Sequence, residues 1–487
     1  MEKLFKLKER KTKVSIEIMA GITTFLAMSY ILIVNPNTIL SGTSDPRFSS
    51  VFIATAIGSF IASLLMSLIA NSPLVEAPGM GFNAMIGGII AGSLGFAYSY
   101  GNAMLLVFIS GLLFLLISVL PSSKKENGRV LSLRELLLDG IPVCLRKAIP
   151  IGIGLFITFI GLQCSSLIVD NKFTLLQLVD FNNYDLWHNG GAALQAIVML
   201  FGLIIISILS HYKVKGSVII GILSSTILSL FLGVADINII LGKTEGISWN
   251  FIDNIKNYFT GDIFLSALKD TKLPAGSLLT SIVLVITFVM VDLFDTMGTV
   301  MGCAKEANLL DENDKPKDFD KIMYADSMGT CVGALAGASS VTTFVESSIG
   351  IAEGGKTGLT TLTAAIMFLL SIFLLPIFAF IPRCAAAGAL IYVGVLMIKN
   401  IVDVDFTDIK YALPSFLTII IMPFSYSITD GIGIGLVTYV VLNTIVYLID
   451  LIKSKKDKTI KPNLEVSKLC FVTFILFLVY FLVPTIV

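Results

Sequence analysis

The sequence predicts an all-α polytopic membrane protein with fourteen transmembrane segments, arranged as two inverted seven-span repeats. Three observations carry this. The 487-residue chain is 55% hydrophobic and only 14% charged, with a mean hydropathy of +0.89, outside the range of a soluble enzyme. Apolar runs long enough to cross about 30 Å of hydrocarbon recur along its whole length. Two segments broken by Pro, Gly, Ser or Thr fall third of seven in each half, the pattern expected of inverted repeats. The formal net charge is zero, which points away from nucleic acid.

The first half, 1–236, is expected to hold spans at 16–34, 51–70, 103–120, 151–169, 192–209 and 217–234, with a broken third segment at 71–92. The basic N-terminus precedes a run too long for a signal peptide, and without a cleavage site. The first span is expected to stop at the turn signal Asn35-Pro36-Asn37. A basic, partly amphipathic linker separates the fourth and fifth spans. Residues 237–276 form an extracytoplasmic connector. The second half, 277–452, repeats the plan with spans at 277–302, 322–337, 359–381, 385–398, 412–428 and 433–449, and a broken segment at 339–355. Residues 453–487 comprise a basic linker and an apolar run, 469–487, that a fourteen-span plan leaves over.

Basic residues set the orientation. With the N-terminus cytoplasmic, the loops after even-numbered spans should be basic. They contain Lys124, Lys125, Arg129, Arg134, Arg146 and Lys147, then Lys213 and Lys215, then Lys305, Lys315, Lys317 and Lys321, then Lys453, Lys455, Lys456 and Lys458. The connector, with four lysines among acids, is the exception.

The eighth span carries two acids, Asp292 and Asp295. Each costs roughly 2.5–3.5 kcal/mol at the centre of a membrane helix on insertion scales. Being three apart they share a helical face, so that face should look into a polar cavity. Non-helical backbone is tolerated at membrane depth only where it is buried or lines such a cavity. The two broken segments should therefore build it, with half-helix N–H groups aimed at its centre. In the second broken segment Glu346 follows a β-branched stretch; in the first, Asn83 can donate and accept. Carboxylates suit a ligand presenting N–H donors, such as a purine, and a buried carboxyl group is a natural proton carrier. Phe82 and Phe344 could stack on a flat ring. Asp326 and Glu76 are weaker candidates, as structural partners or residues near the membrane edge.

Other chemistry is poorly represented. Six scattered cysteines lack pairing or metal spacing, and His188 and His211 are both expected in loops, so no metal site is expected. No nucleophile–His–acid set and no H-E-x-x-H occurs. Residues 350–357, GIAEGGKT, match the P-loop pattern in full. A membrane span follows them rather than a soluble α/β domain, so they read as a tight cytoplasmic turn. Gly79-Met80-Gly81 and Gly431-Ile432-Gly433 are too short for dinucleotide motifs.

Four stretches carry a resemblance: GITTFLAMSYILIVNP (21–36), EAPGMGFNA (76–84), VDLFDTMGT (291–299) and SSVTTFVESSIGI (339–351). At these residues the chain resembles the nucleobase/ascorbate transporter family, or nucleobase:cation symporter-2 family. Within it, the chain is similar to the azaguanine-permease-like branch of guanine, hypoxanthine and adenine permeases. The resemblance covers nearly the whole chain. It implies a core domain of spans 1–4 and 8–11, a gate domain of spans 5–7 and 12–14, and a short β-strand opening each broken segment. It also implies base-contacting roles for Asp292, Glu346 and Asn83, and a functional role for Asp295. The uracil and xanthine branch has Glu and His in span 8 where this chain has Asp292 and Thr296, a departure that argues for purines.

The expected protein is a multi-pass plasma-membrane importer of guanine, hypoxanthine or adenine, driven by protons through an elevator-like or rocking core motion. No cofactor or nucleic acid takes part, and it is no enzyme. Glu346 and Asp292 bind the base edge, Phe82 and Phe344 sandwich it, and Asn83 and Asp295 tune the site or couple protons. Asp292 and Glu346 also rank as proton carriers. The sequence leaves open whether H⁺ or Na⁺ is coupled and whether the chain forms a homodimer. The rivals are an anion transporter of the sulfate-permease type, which shares the inverted plan but should lack acids at the half-helix ends, and an integral-membrane enzyme or receptor.

Overall fold

A computed structural model describes residues 2–40, 45–92, 98–119, 121–126, 129–132, 140–188, 190–212, 214, 217–235, 237–241, 249–306, 316, 318–454 and 464–486. Among these, nine helical stretches are long and apolar enough to cross a membrane. Arg134, Lys213, Lys215, Lys315, Lys317, Lys455, Lys456 and Lys458, on which much of the expected orientation rests, lie outside the described residues.

After a short helix α1 (Glu2–Phe5), the first span is two helices, α2 (Val14–Met28) and α3 (Ile31–Leu40). The break comes at Ser29 and Tyr30, not at Asn35-Pro36-Asn37, and Pro36 lies inside α3. Pro36 removes the i→i−4 bond that its position would have made, without ending the helix. Asn35 ends nothing either: its amide donates to Thr55 Oγ1 (2.7 Å) and to the Ala338 carbonyl (2.8 Å). Helix α4 (Phe48–Leu65) runs into a π-helical turn, Met66–Ala70, closed by Asn71 in the left-handed region.

Strand β1 (Glu76–Pro78) then leads into α5 (Met80–Ile90). Next come α6 (Tyr100–Val119), and a hairpin of β2 (Pro121–Glu126) and β3 (Arg129–Ser132) within the expected linker. Helix α7 (Val143–Cys164) starts earlier than the apolar run and takes in Arg146 and Lys147. A second hairpin, β4 (Ile168–Asn171) and β5 (Leu175–Leu178), precedes α8 (Ala192–His211) and α9 (Ser217–Phe231). Among its described residues the connector holds three short helices, α10 (Ile237–Ile240), α11 (Phe251–Thr260) and α12 (Ser266–Lys269). Tyr258 of α11 is fully buried, its hydroxyl donating to the Ala336 carbonyl (2.9 Å).

The second half opens with α13 (Leu278–Glu306) and α14 (Phe319–Ala336). Strand β6 (Val341–Thr343) and α15 (Ser347–Ala352) follow, then α16 (Gly358–Ser371), α17 (Leu375–Phe380), α18 (Arg383–Ile398), α19 (Ile409–Ser425) and α20 (Ile428–Ser454). The left-over apolar run is α21 (Lys468–Ile486). Its Phe477 is fully buried against Gly433, where an added Cβ would come within 2.6 Å of the ring.

One buried apolar cluster joins α2–α6 to parts of α11–α14 and α16. A second draws mostly on α7, α13, α14, α18 and α20. At the centre, β1 pairs antiparallel with β6 in the register Glu76↔Thr343, Ala77↔Thr342 and Pro78↔Val341, with all six residues buried. Bonds from Gly79 N–H to Ser340 O (3.1 Å) and from Phe344 N–H to Val75 O (2.9 Å) extend the ladder. Backbone groups away from water must be paired, and each broken segment satisfies the other's.

Candidate functional site

The break in the first span, the end of β6 and the middle of α13 meet at a cavity of about 70 Å³. One wall is polar: Tyr30, Asp295, Thr299, Thr342, Thr343 and Glu346, with Gly79, Phe344 and Val345. The facing wall, Ile153, Phe156, Ile157 and Ile160 of α7 with Ile428 of α20, is apolar. Glu346, the residue before α15, is 4% exposed and accepts a hydrogen bond from the Tyr30 hydroxyl at Oε1 (2.6 Å). Tyr30 reaches it because the helix breaks there. Asp295 accepts a long bond from Thr429 Oγ1 (3.5 Å).

Of the six residues singled out from the sequence, the cavity gathers Glu346, Phe344 and Asp295. Asp292, one turn from Asp295, is directed at α14 and the residues before β6. It accepts from Thr330 Oγ1 (2.6 Å) and Ser340 Oγ (3.1 Å). Asn83 is fully buried; its Oδ1 accepts from the Ser339 hydroxyl, and its Nδ2 has no partner among the described residues. Phe82 lies on Phe288 of α13, with ring centroids 4.5 Å apart and planes at 39°. Phe82 is not among the residues lining the cavity, and the aromatic ring on its opposite wall is Phe156.

The other two acids are deep in the interior. Asp326 is fully buried and accepts from Thr296 Oγ1 (2.7 Å), Thr342 Oγ1 (3.2 Å) and Thr343 N–H (2.9 Å). It thereby ties α13, α14 and β6 together. Glu76 is fully buried in β1, and neither of its carboxyl oxygens has a partner among the described residues.

The P-loop look-alike has a physical explanation. Glu17, fully buried in α2, accepts from the backbone N–H groups of Lys356 (3.0 Å) and Thr357 (3.1 Å) and from the hydroxyls of Thr357 (2.8 Å) and Thr360 (2.6 Å). The turn is an anion nest, and its anion is a side chain of the same protein. Sequence reasoning missed both Glu17 and Tyr30. The signal for Glu17 was the nest itself; nothing in the sequence marks Tyr30.

A family model described as a permease family, the xanthine/uracil permeases, matches residues 15–434. The chain belongs to that family, the nucleobase/ascorbate transporters its motifs resemble. The permease is 36% identical over 440 residues to the guanine/hypoxanthine permease PbuO of Bacillus subtilis, covering 90% of this chain and 93% of that one. It is 34% identical over 442 residues to the adenine permease AdeQ of Escherichia coli, covering 91% and 90%. With the guanine/hypoxanthine permease PbuG of Bacillus subtilis the match is 33% over 490 residues, covering 99% of each chain. Among solved structures, the transmembrane domain of the cyanobacterial bicarbonate transporter BicA superposes with a TM-score of 0.53 at 15% identity, covering 86% of the permease and 97% of BicA. Murine Slc26a9, an anion transporter in the inward-facing state, gives a TM-score of 0.50 at 11% identity, covering 89% and 68%. These two show the fold. The permease is a mostly helical, multi-pass membrane transport protein of that architecture.

Proposed function

We propose that the permease is a secondary active importer of purine nucleobases (guanine, hypoxanthine or adenine) and that it works by proton symport across the plasma membrane. The observation that carries this is the slot between two unlike walls. Glu346 offers a carboxylate with one oxygen held by Tyr30, opposite the flat apolar surface of α7. A purine is flat, with N–H donors along its edge, and each donor left unpaired in a dry site costs roughly 1–3 kcal/mol. The permeases named for adenine and for guanine and hypoxanthine support the same substrate class.

In this reading Glu346 binds the base edge, Phe344 and the α7 wall enclose the ring, and Asp295 tunes the site. Asp292, Asn83 and Phe82 form the layer behind it. Fourteen spans in two inverted halves, 1–236 and 277–452, joined by the 237–276 connector, fit the antiparallel meeting of β1 with β6 at corresponding places. The core (spans 1–4 and 8–11) carries the polar wall, the gate (spans 5–7 and 12–14) the apolar wall. Sliding or rocking of one against the other would move the slot between the two sides, with the N-terminus cytoplasmic. The fold is equally compatible with an anion transporter, but Glu346 and Asp295 beside the cavity oppose an anion.

The test is uptake of radiolabelled guanine, hypoxanthine, adenine, xanthine and uracil in purine-transport-deficient cells at two pH values. Accumulation of a purine that a protonophore abolishes and that Na⁺ replacement leaves unchanged is expected. Uptake that requires Na⁺, or that persists in de-energised cells supplied with ATP, would sink the coupling.

A further inference from the structure

Glu76 is a buried acid for which the proposed purine site has no use. It sits in β1, fully buried, and both carboxyl oxygens lack a hydrogen-bond donor among the described residues. Its backbone is fully engaged instead: Ser63 Oγ donates to Glu76 O (3.0 Å) and accepts from Glu76 N–H (3.0 Å). The side chain is pressed against α14 at Gly329, where even a Cβ would approach Oε2 to 2.6 Å. The titratable groups facing it are Asp326 on α14 and Asp292 on α13, both acids. Each of those receives its own donors, three for Asp326 and two for Asp292. Among the described residues, no three acidic, histidine or cysteine side chains converge well enough to hold a metal ion.

An ionised carboxylate in dry surroundings must be paired or hydrogen-bonded. Asp292 and Asp326 meet that requirement with hydroxyl and N–H donors, whereas among the described residues Glu76 has neither a donor nor a cation. The cation that fits so closed a position is a proton. The position is also one layer from the cavity. Thr342 and Thr343 line the cavity, and the hydroxyl of Thr342 and the N–H of Thr343 donate to Asp326. Thr343 is also the cross-strand partner of Glu76.

We propose that Glu76 is a proton-binding site of the permease, behind the β6 face of the purine cavity and separate from Glu346. The step is a single protonation: a proton from water forms an O–H bond at the Glu76 carboxylate and leaves by the reverse path, with no electron transferred. The neighbouring acids link its occupancy to the cavity, because removing that proton would place a negative charge beside two further acids, Asp326 and Asp292. The coupling role rests on the purine-symport reading; the protonation itself does not.

The experiment uses the purified full-length permease in lipid vesicles, as the parent, as Glu76→Gln and as Glu76→Met. Met fills a similar volume and asks for no hydrogen bond, so it carries the test if Gln disturbs folding. Infrared spectra are compared in the region of protonated carboxyl C=O stretches, and hypoxanthine accumulation is driven by an imposed pH gradient. A carboxyl band present in the parent and lost in either variant is expected. Gradient-driven accumulation should fall at least about tenfold, while hypoxanthine affinity stays within about threefold. A band of undiminished intensity in both variants overturns the proton site whatever ion is coupled, and undiminished gradient-driven accumulation in a proton-coupled parent overturns its coupling role. A band lost in the variants, in a parent whose uptake ignores the pH gradient, upholds the site and overturns the proton-symport reading.

Discussion

Glu346 stands beside the cavity with a single side-chain donor among the described residues, the Tyr30 hydroxyl, on one of its oxygens. Asp292 is equally buried, but two hydroxyls from α14 and the residues before β6 close around it. Both acids belong to the second half, and both are expensive at membrane depth for the same reason. The first is offset incompletely by protein and so has capacity left for a ligand. The second is offset from within and so holds helices in place. The cost of burying an acid therefore locates a functional region, while the count of its donors separates a ligand site from a brace.

The largest expected effect sharpens that comparison at its ligand end. Glu346→Gln keeps the shape but turns an acceptor into a partial donor, facing a ligand that itself brings N–H groups. Hypoxanthine or guanine affinity should fall by roughly 1–3 kcal/mol, about fivefold to more than a hundredfold, with membrane levels unchanged. Isothermal titration on purified protein checks it; parent-like affinity would move the site elsewhere.

The next effect is at the brace. In Asp292→Asn the side-chain oxygen can still accept from Thr330, and the new NH₂ group faces Ser340, whose hydroxyl can turn to accept. The loss should be about 1 kcal/mol, read as a lowered thermal midpoint, with affinity reduced less than in Glu346→Gln. Asp326→Asn should be more destabilising, because one of its three donors is the fixed N–H of Thr343. If Asp292→Asn abolished binding at unchanged stability, the distinction between ligand site and brace would fail.

These two acids also show what was legible beforehand. Apolar run lengths placed most helices to within a turn or so, since hydrocarbon thickness dictates them. Matching breaks placed the two segments that meet at the centre, because unpaired backbone is forbidden in lipid. The direction of side chains inside the bundle was not legible. Asp292 and Asp295 share a helical face in periodicity, yet only Asp295 reaches the cavity. Phe82 looked like a stacking ring but packs on Phe288. Tyr30 meets Glu346 across 316 positions of sequence, and an isolated tyrosine in an apolar run announces nothing. The break that frees it comes at Ser29 and Tyr30, where no Pro or Gly punctuates the chain.

Tyr30→Phe tests the comparison from the donor side. Removing the hydroxyl leaves Glu346 without its single side-chain donor among the described residues. A hydrogen bond to a charged group contributes about 1.5–3 kcal/mol, but a neighbouring water or the ligand can replace part of it. An affinity loss of about threefold to tenfold is expected, with a shifted pH profile of uptake. In the double variant with Glu346→Gln the two losses should not add, since Tyr30 acts through Glu346. Additive losses would mean that Tyr30 contacts the ligand independently.

The smallest effect is expected at the residue whose motif is the most suggestive. Lys356 completes a full P-loop pattern, and in a nucleotide-binding protein its ammonium group would contact phosphate. Here the backbone donors of the turn, Lys356 N–H and Thr357 N–H, are already committed to the Glu17 carboxylate. A phosphate would have to displace a buried acid that also receives the hydroxyls of Thr357 and Thr360. The Lys356 side chain takes no part in that nest, because its contribution is made by the backbone, which Ala retains. Lys356→Ala should therefore leave purine affinity within about threefold of the parent, and equilibrium dialysis should detect no ATP binding to either protein. Glu17→Gln is the contrasting variant: the new NH₂ group would confront donors that cannot turn away, and a loss of about 1–3 kcal/mol in stability is expected. ATP binding by the parent that Lys356→Ala removed would show that the nest can open and that the motif is used as its pattern implies.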